Sequence, residues 1–133
     1  MESLLPLLLL ISLTSVVGLL LRAKKGVIKK GTRVKISEGE FGGKYGIRLT
    51  ILQFSTTFCS ECRTAKAIVK DVVKDFNDIA YVEVDAESNL DLVRRVDIRS
   101  TPTTIFLDSK GFEIARAKGA PKRDQLIKAI KAI

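Results

Sequence analysis

No histidine and no tryptophan occur in this chain of 133 residues, and only two cysteines do. A closed zinc site takes four ligands, drawn chiefly from thiolate and imidazole, so one copy of the chain cannot fill it. A metal centre would need a second copy or help from carboxylates, and none is expected. Aromatic residues make up 6% of the chain and few stand near its basic cluster, which argues against the stacking platforms of a nucleic-acid groove. No internal repeat or low-complexity tract is present. The length allows one domain with its own core and argues against several.

The formal net charge is +8, but it is unevenly placed. Arg22, Lys24, Lys25, Lys29, Lys30, Arg33 and Lys35 fall in one stretch that has no acidic residue, while from Ile36 onward sixteen basic and fourteen acidic residues nearly cancel. The folded part is close to neutral, so no nucleic-acid partner is expected.

Ahead of the basic stretch, Leu4 to Leu21 contains no ionisable side chain. As a helix rising about 1.5 Å per residue it reaches roughly 27 Å, enough to cross the hydrocarbon layer of a bilayer. Pro6 falls in the first turn, where a missing amide proton costs little, and Ser12, Thr14 and Ser15 can return their hydroxyls to the backbone. A cleaved signal peptide wants a basic start, a shorter apolar core and small residues at the cleavage point, and this run fits poorly on all three. Residues 1–22 are therefore expected to form a single-pass transmembrane anchor. Lysine and arginine beside a membrane span tend to stay in the cytoplasm, which puts the soluble part on the cytoplasmic face, with the extracytoplasmic face as the alternative. The basic cluster is either a solvated stop signal or a contact for anionic headgroups at about 1 kcal/mol per residue.

Residues 23–46, glycine-rich and mixed in charge, read as a basic juxtamembrane linker with one short edge strand near Thr32 to Ser37. Organised pattern begins at Ile47. "IRLTILQF" has the β-branched, two-sided apolar character of a buried strand. From Ser60 the period changes: Ala65, Ile68, Val69, Val72, Val73 and Phe76 recur at three- and four-residue steps, which predicts a helix. "AYVEVD" alternates as a second strand, completing a βαβ unit with parallel strands. Leu90, Val93 and Val96 sit at helical spacing up to Pro102. Thr103 to Leu107 and "FEIARA", joined by the turn "DSKG", predict an antiparallel hairpin, and Pro121 opens a last helix with Leu126, Ile127, Ile130 and Ile133 inward. The expected product is an α/β domain over 47–133, a mixed sheet with helices on both faces.

Both cysteines lie in "FCSEC", at the turn from the first strand into the helix. Cys59 falls at the helix mouth, where unpaired amides and the positive end of the dipole favour thiolate. A fall in pKa from about 8.5 to about 7 raises the ionised fraction at neutral pH from roughly 3% to roughly half. Cys62, one turn on, is close enough to form a disulfide and is suited to resolve one. A metal site, a buried structural pair and a domain that only docks partners are the competing readings.

"FCSEC" at this turn, "VEVDAE" on the next strand, "RSTPT" before the hairpin and "KGAPKRDQL" before the last helix resemble the thioredoxin family, and the likeness covers Ile47 to Ile133. It implies the thioredoxin-like fold, with Cys59 as nucleophile and Cys62 as resolving thiol. It further implies a cis bond before Pro102, which faces the cysteines, a Thr101 backbone free to pair with an extended partner segment, and Gly119 close to the same surface. Phe58 stands in place of the family's tryptophan, and Ser60 and Glu61 replace its glycine and proline. Gln53 and Tyr81 replace its buried aspartate and that residue's lysine partner. Glu61 is expected to oppose thiolate formation at Cys59. The implied function is a membrane-tethered thiol-disulfide oxidoreductase acting on protein substrates and served by a redox partner, without cofactor and as a monomer. The alternative is a tethered binding module with no catalysis.

Overall fold

The computed structural model describes residues 4–133; Met1 to Ser3, the start of the expected 1–22 anchor, lie outside the described residues. Helix α1 (Leu4–Ala23) has 20 residues and buries none of them. By length and composition it can cross a membrane, a test that a signal sequence also passes. Ser12 and Thr14 donate their hydroxyls to carbonyls of Leu9, Leu10 and Ile11 at 2.9 to 3.0 Å, which satisfies groups that lipid cannot.

Every residue of β2 (Leu49–Ser55) is buried, as befits a strand covered on both faces. Leu49 and Ile51 pack with Val69, Val72, Phe106, Leu126 and Ile130. Leu52 and Phe54, on the opposite pleat, pack with Ile36, Phe41, Val84, Leu92, Val96 and Ile105. The first core lies under α3 (Ser60–Val73) and α5 (Arg123–Ala132). The second lies under α2 (Glu38–Phe41) and α4 (Leu90–Arg95).

Strand β2 pairs in parallel with β3 (Ile79–Asp85), from Leu49 opposite Ile79 to Ser55 opposite Asp85. On its other side lies β4 (Thr103–Asp108), antiparallel, and then β5 (Glu113–Lys118), also antiparallel. The β4–β5 hairpin turns at Gly111, whose φ of 88° suits glycine. The outermost strand is β1 (Ile28–Lys30), so the sheet runs β1-β5-β4-β2-β3.

Several details differ from expectation. The strand looked for at Thr32 to Ser37 is reduced to one bridge between Lys35 and Phe112, and the edge strand of this stretch is β1, antiparallel to β5. Arg33, at φ 59°, breaks the extended run. Thr32 turns its amide and hydroxyl to the Glu113 carboxylate instead of a ladder. The stretch 23–46, expected as a linker, also supplies Ile36 and Phe41 to the second core. Leu92 of α4 and Val96 at its C-cap are buried and Val93 packs partly against the second core, while Leu90 is exposed; Ile133, expected inward on the last helix, is exposed as well.

Candidate functional site

Cys59 is the N-cap of α3, with extended backbone. Along the helix Cys62, Ala65, Val69 and Val72 recur at three- and four-residue steps and are all buried. The stripe that docks the helix on the sheet carries the second cysteine inward and leaves the first at the helix mouth. The two sulfurs are joined in a disulfide, with Cα atoms 5.2 Å apart. The Cys62 amide donates to the Cys59 sulfur at 3.1 Å. One of the helix's spare N–H groups thus points at the first sulfur, a contact that favours negative charge there once the disulfide opens. Cys62 is 4% exposed and Cys59 half-buried, so an outside thiol or disulfide can reach only Cys59.

The Thr101–Pro102 peptide is cis, as the family likeness implies. The Thr101 hydroxyl lies 3.4 Å from that of Thr56 and 4.0 Å from the Cys59 sulfur. Among the described residues the Thr101 amide and carbonyl take part in no backbone hydrogen bond, which leaves them open to an extended segment laid alongside. The Gly119 amide donates to the Pro102 carbonyl at 2.8 Å, tying the end of β5 to this edge. Gly119 has φ 81°, and a Cβ there would lie 3.3 Å from a Glu61 carboxylate oxygen and 3.4 Å from the Gly26 nitrogen. Turn and close approach are both present at this glycine. Phe58 is 97% exposed beside Cys59. A groove of about 280 Å³ opens next to Thr101, with Thr56, Leu90, Val93 and Ile98 among its walls, so exposed Leu90 belongs to the same surface.

Behind the cysteines, positions 53 and 81 meet. Gln53 is fully buried on the pleat facing α3. Its amide nitrogen donates to the Cys62 carbonyl and to the Ser55 hydroxyl, both at 3.0 Å, and its carbonyl oxygen accepts from the Tyr81 hydroxyl at 2.8 Å. Burial, and then the charge of Glu83, push the Tyr81 phenol well above its ordinary value, so it remains a protonated donor. All donors and acceptors of the Gln53 amide group in this network are neutral, and no carboxylate joins it.

Ser55 and Gly26 also belong to the site, although the sequence pattern does not single them out. Ser55 falls just past the run that reads as a strand, which the structure extends by one residue to include it. Gly26, at φ 75°, sits so tightly on the Ala120 carbonyl that any Cβ would collide with it; a glycine directly after the basic pair was its only trace. Among the described residues, no group of three or more histidine, cysteine, aspartate or glutamate side chains is placed to hold a metal ion.

Residues 35–132 match the family model described as Thioredoxin. Thioredoxin H5 of Oryza sativa subsp. japonica is 32% identical over 77 residues, covering 58% of this chain and 56% of that protein. Thioredoxin H2 of Arabidopsis thaliana is 28% identical over 86 residues, covering 65% and 63% respectively. The chain thus spans less than two thirds of the length of these two plant relatives. Among solved structures, thioredoxin-2 of a malaria parasite, described as a component of that parasite's protein secretion machinery, superposes with a TM-score of 0.59 at 26% identity over 65% of this chain and 84% of its own.

Proposed function

The chain belongs to the thioredoxin family, and from that footing we propose that it is a membrane-tethered thiol-disulfide oxidoreductase that works on protein partners through Cys59 and Cys62. The observation that carries this reading is the disulfide at the N-cap of α3, with one sulfur reachable and the other buried. In the reductive direction the Cys59 thiolate attacks a partner's disulfide. A Cys59–partner bond forms and the partner's other sulfur leaves as thiolate. Cys62, having lost its proton, then attacks the Cys59 sulfur; the internal disulfide forms and the partner's second thiolate departs. Two electrons pass to the partner, and an external dithiol must restore the pair. Run backward, the same steps insert a disulfide.

Thr101, Pro102 and Gly119 make the edge against which an extended partner segment would lie, and Phe58 offers it an exposed aromatic surface. Helix α1 is the anchor. The basic residues that follow it favour the cytoplasmic face, where such a pair is kept reduced and acts as a reductant. The tether is short: two residues separate Ala23 from Gly26, whose amide donates to the Lys118 carbonyl next to Gly119. At about 3.3 to 3.6 Å per extended residue, the substrate edge lies near the membrane end of the helix, which supports partners close to the bilayer.

Reduction of insulin by the full chain in detergent, set against Cys59→Ser, tests the reading. Turnover that the serine variant loses is the expected result. Equal rates in the two would assign the chain to the rival class, a tethered module that binds without catalysis.

A further inference from the structure

Away from the cysteines, unneutralised charge is concentrated where α1 gives way to β1. Lys24, Lys29, Lys30 and Lys118 enter no ion pair among the described residues. Together with Val27 and Arg116 they wall a cavity of about 190 Å³. The register explains the gathering. Lys29 stands opposite Arg116 across β1 and β5, and Lys118, two residues further along β5, shares that pleat, while Ile28, which packs against the first core, and Lys30 lie on the other pleat, so Lys30 borders the cavity from the opposite face of the strand. The Arg116 guanidinium is already engaged by Glu113 and by the carbonyls of Val96 and Asp97, so it forms a wall and the four lysines carry the free charge.

Four exposed lysines that line one small cavity set up a positive potential that an anion seated among them neutralises. The position of the cavity indicates which anion. Val27 is four residues beyond the end of α1, at most about 14 Å of extended chain, and the Gly26–Lys118 hydrogen bond holds this segment on β5. The headgroup layer of a bilayer is about 5 to 8 Å deep on each side, so a cavity tied this closely to the membrane helix lies at or just beyond headgroup level, where lysine side chains can reach back to it. We propose that the cavity binds the phosphate of an anionic phospholipid headgroup, with Lys24, Lys29 and Lys118 as its ligands and Lys30 adding positive charge from the neighbouring pleat. The proposal rests on the tethered reading above. Because Lys118 adjoins Gly119, whose amide holds the Pro102 carbonyl, a headgroup seated here also turns the substrate edge of the disulfide site toward the bilayer.

Amide hydrogen exchange of the full chain in nanodiscs tests it, with all-phosphatidylcholine discs set against discs holding about one third phosphatidylglycerol. The expected result is exchange over 24–30 and 113–118 slowed about fivefold or more in the anionic discs, the factor that roughly one lysine near an anionic surface supplies. The slowing is lost when Lys24, Lys29, Lys30 and Lys118 are all changed to Gln, and kept when Lys110, Lys122, Lys128 and Lys131 are. Equal exchange in the two disc types overturns the proposal, as does equal loss in both quadruple variants, which would mean diffuse charge without a site. Equal slowing in neutral discs with millimolar inorganic phosphate overturns the lipid as its source. A chain that fails to co-purify with discs overturns the tether and the cavity together, and a chain that co-purifies but exchanges alike overturns the cavity only.

Discussion

Tyr81→Phe removes one hydroxyl and leaves the Gln53 carbonyl oxygen without the donor that now sits 2.8 Å away. Gln53 is fully buried, so water cannot take the vacated place, and an unsatisfied buried acceptor costs about 1–3 kcal/mol. The lost contact is at ordinary length for a neutral O–H···O bond, so no charged-group premium applies. Each kcal/mol lowers the melting point of a domain of this size by about 4–8 °C. Scanning calorimetry of the full chain in micelles should therefore place Tyr81→Phe roughly 5 to 20 °C below the parent. Gln53→Met together with Tyr81→Phe replaces both partners by apolar groups, and the pair should cost less than the two single changes added, by about 1 kcal/mol. A shift under about 2 °C for Tyr81→Phe, or strict additivity, would refute the claim that these two side chains form one buried unit under Cys62.

Three further outcomes follow from the same geometry. In Cys62→Ser the first attack proceeds and the second cannot, so a covalent adduct with a disulfide-bearing protein should persist on a non-reducing gel and vanish with dithiothreitol; absence of any adduct contradicts the assignment of Cys59 as the attacking sulfur. Gln53→Asp sets a carboxyl near Cys62 whose pKa burial raises. Turnover should then exceed the parent's, by up to about 100-fold, and increasingly so as pH rises and the new group ionises; a pH–rate profile parallel to the parent's contradicts this. Glu113 is opposed by burial but held below its ordinary value by the Arg116 guanidinium, 2.5 Å away, and by Thr32. With its folded value depressed, it adds stability that is full above about pH 4.5, its ordinary value, and is lost as pH falls through the folded one. Glu113→Gln, which strands Arg116, should cost about 3 kcal/mol at pH 7 and show less acid sensitivity than the parent; urea midpoints at pH 7 and pH 3 measure both, and undiminished acid sensitivity is the contrary result.

The βαβ unit could be read from the chain because the apolar period changes at Ser60 from strand-like to helical, and the stripe through Ala65, Val69 and Val72 is the one the structure buries. The placement of the two cysteines and of the pair behind them was legible to the same depth. Cys59 outside and Cys62 inside follow from the helix beginning between them, and Gln53 and Tyr81 meet because they occupy one pleat of paired strands. Strand β1 was not legible. Three residues on a sheet edge, two of them exposed lysines, carry almost no alternation, and their pairing with β5 is a contact across the whole chain. Helix α2 left a signal that the composition of its surroundings obscured: Ser37 and Glu40 stand at capping-box spacing and form the box, within a stretch whose glycines read as linker.

The central claim is that the Cys59 sulfur is ionised and reachable at the start of α3 while Cys62 is shielded. Its most direct test is the alkylation rate of each cysteine in the reduced full chain at pH 7, resolved by peptide mass spectrometry and compared with the same residues in the urea-unfolded chain. The Cys62 amide at the Cys59 sulfur and the helix start enlarge the thiolate fraction at neutral pH by more than the weaker nucleophilicity of a less basic thiolate takes back. Cys59 should thus react about threefold or more faster folded than unfolded, and Cys62 far more slowly folded than unfolded. Folded Cys59 reacting no faster than its unfolded counterpart, or Cys62 reacting alongside it, would contradict the account.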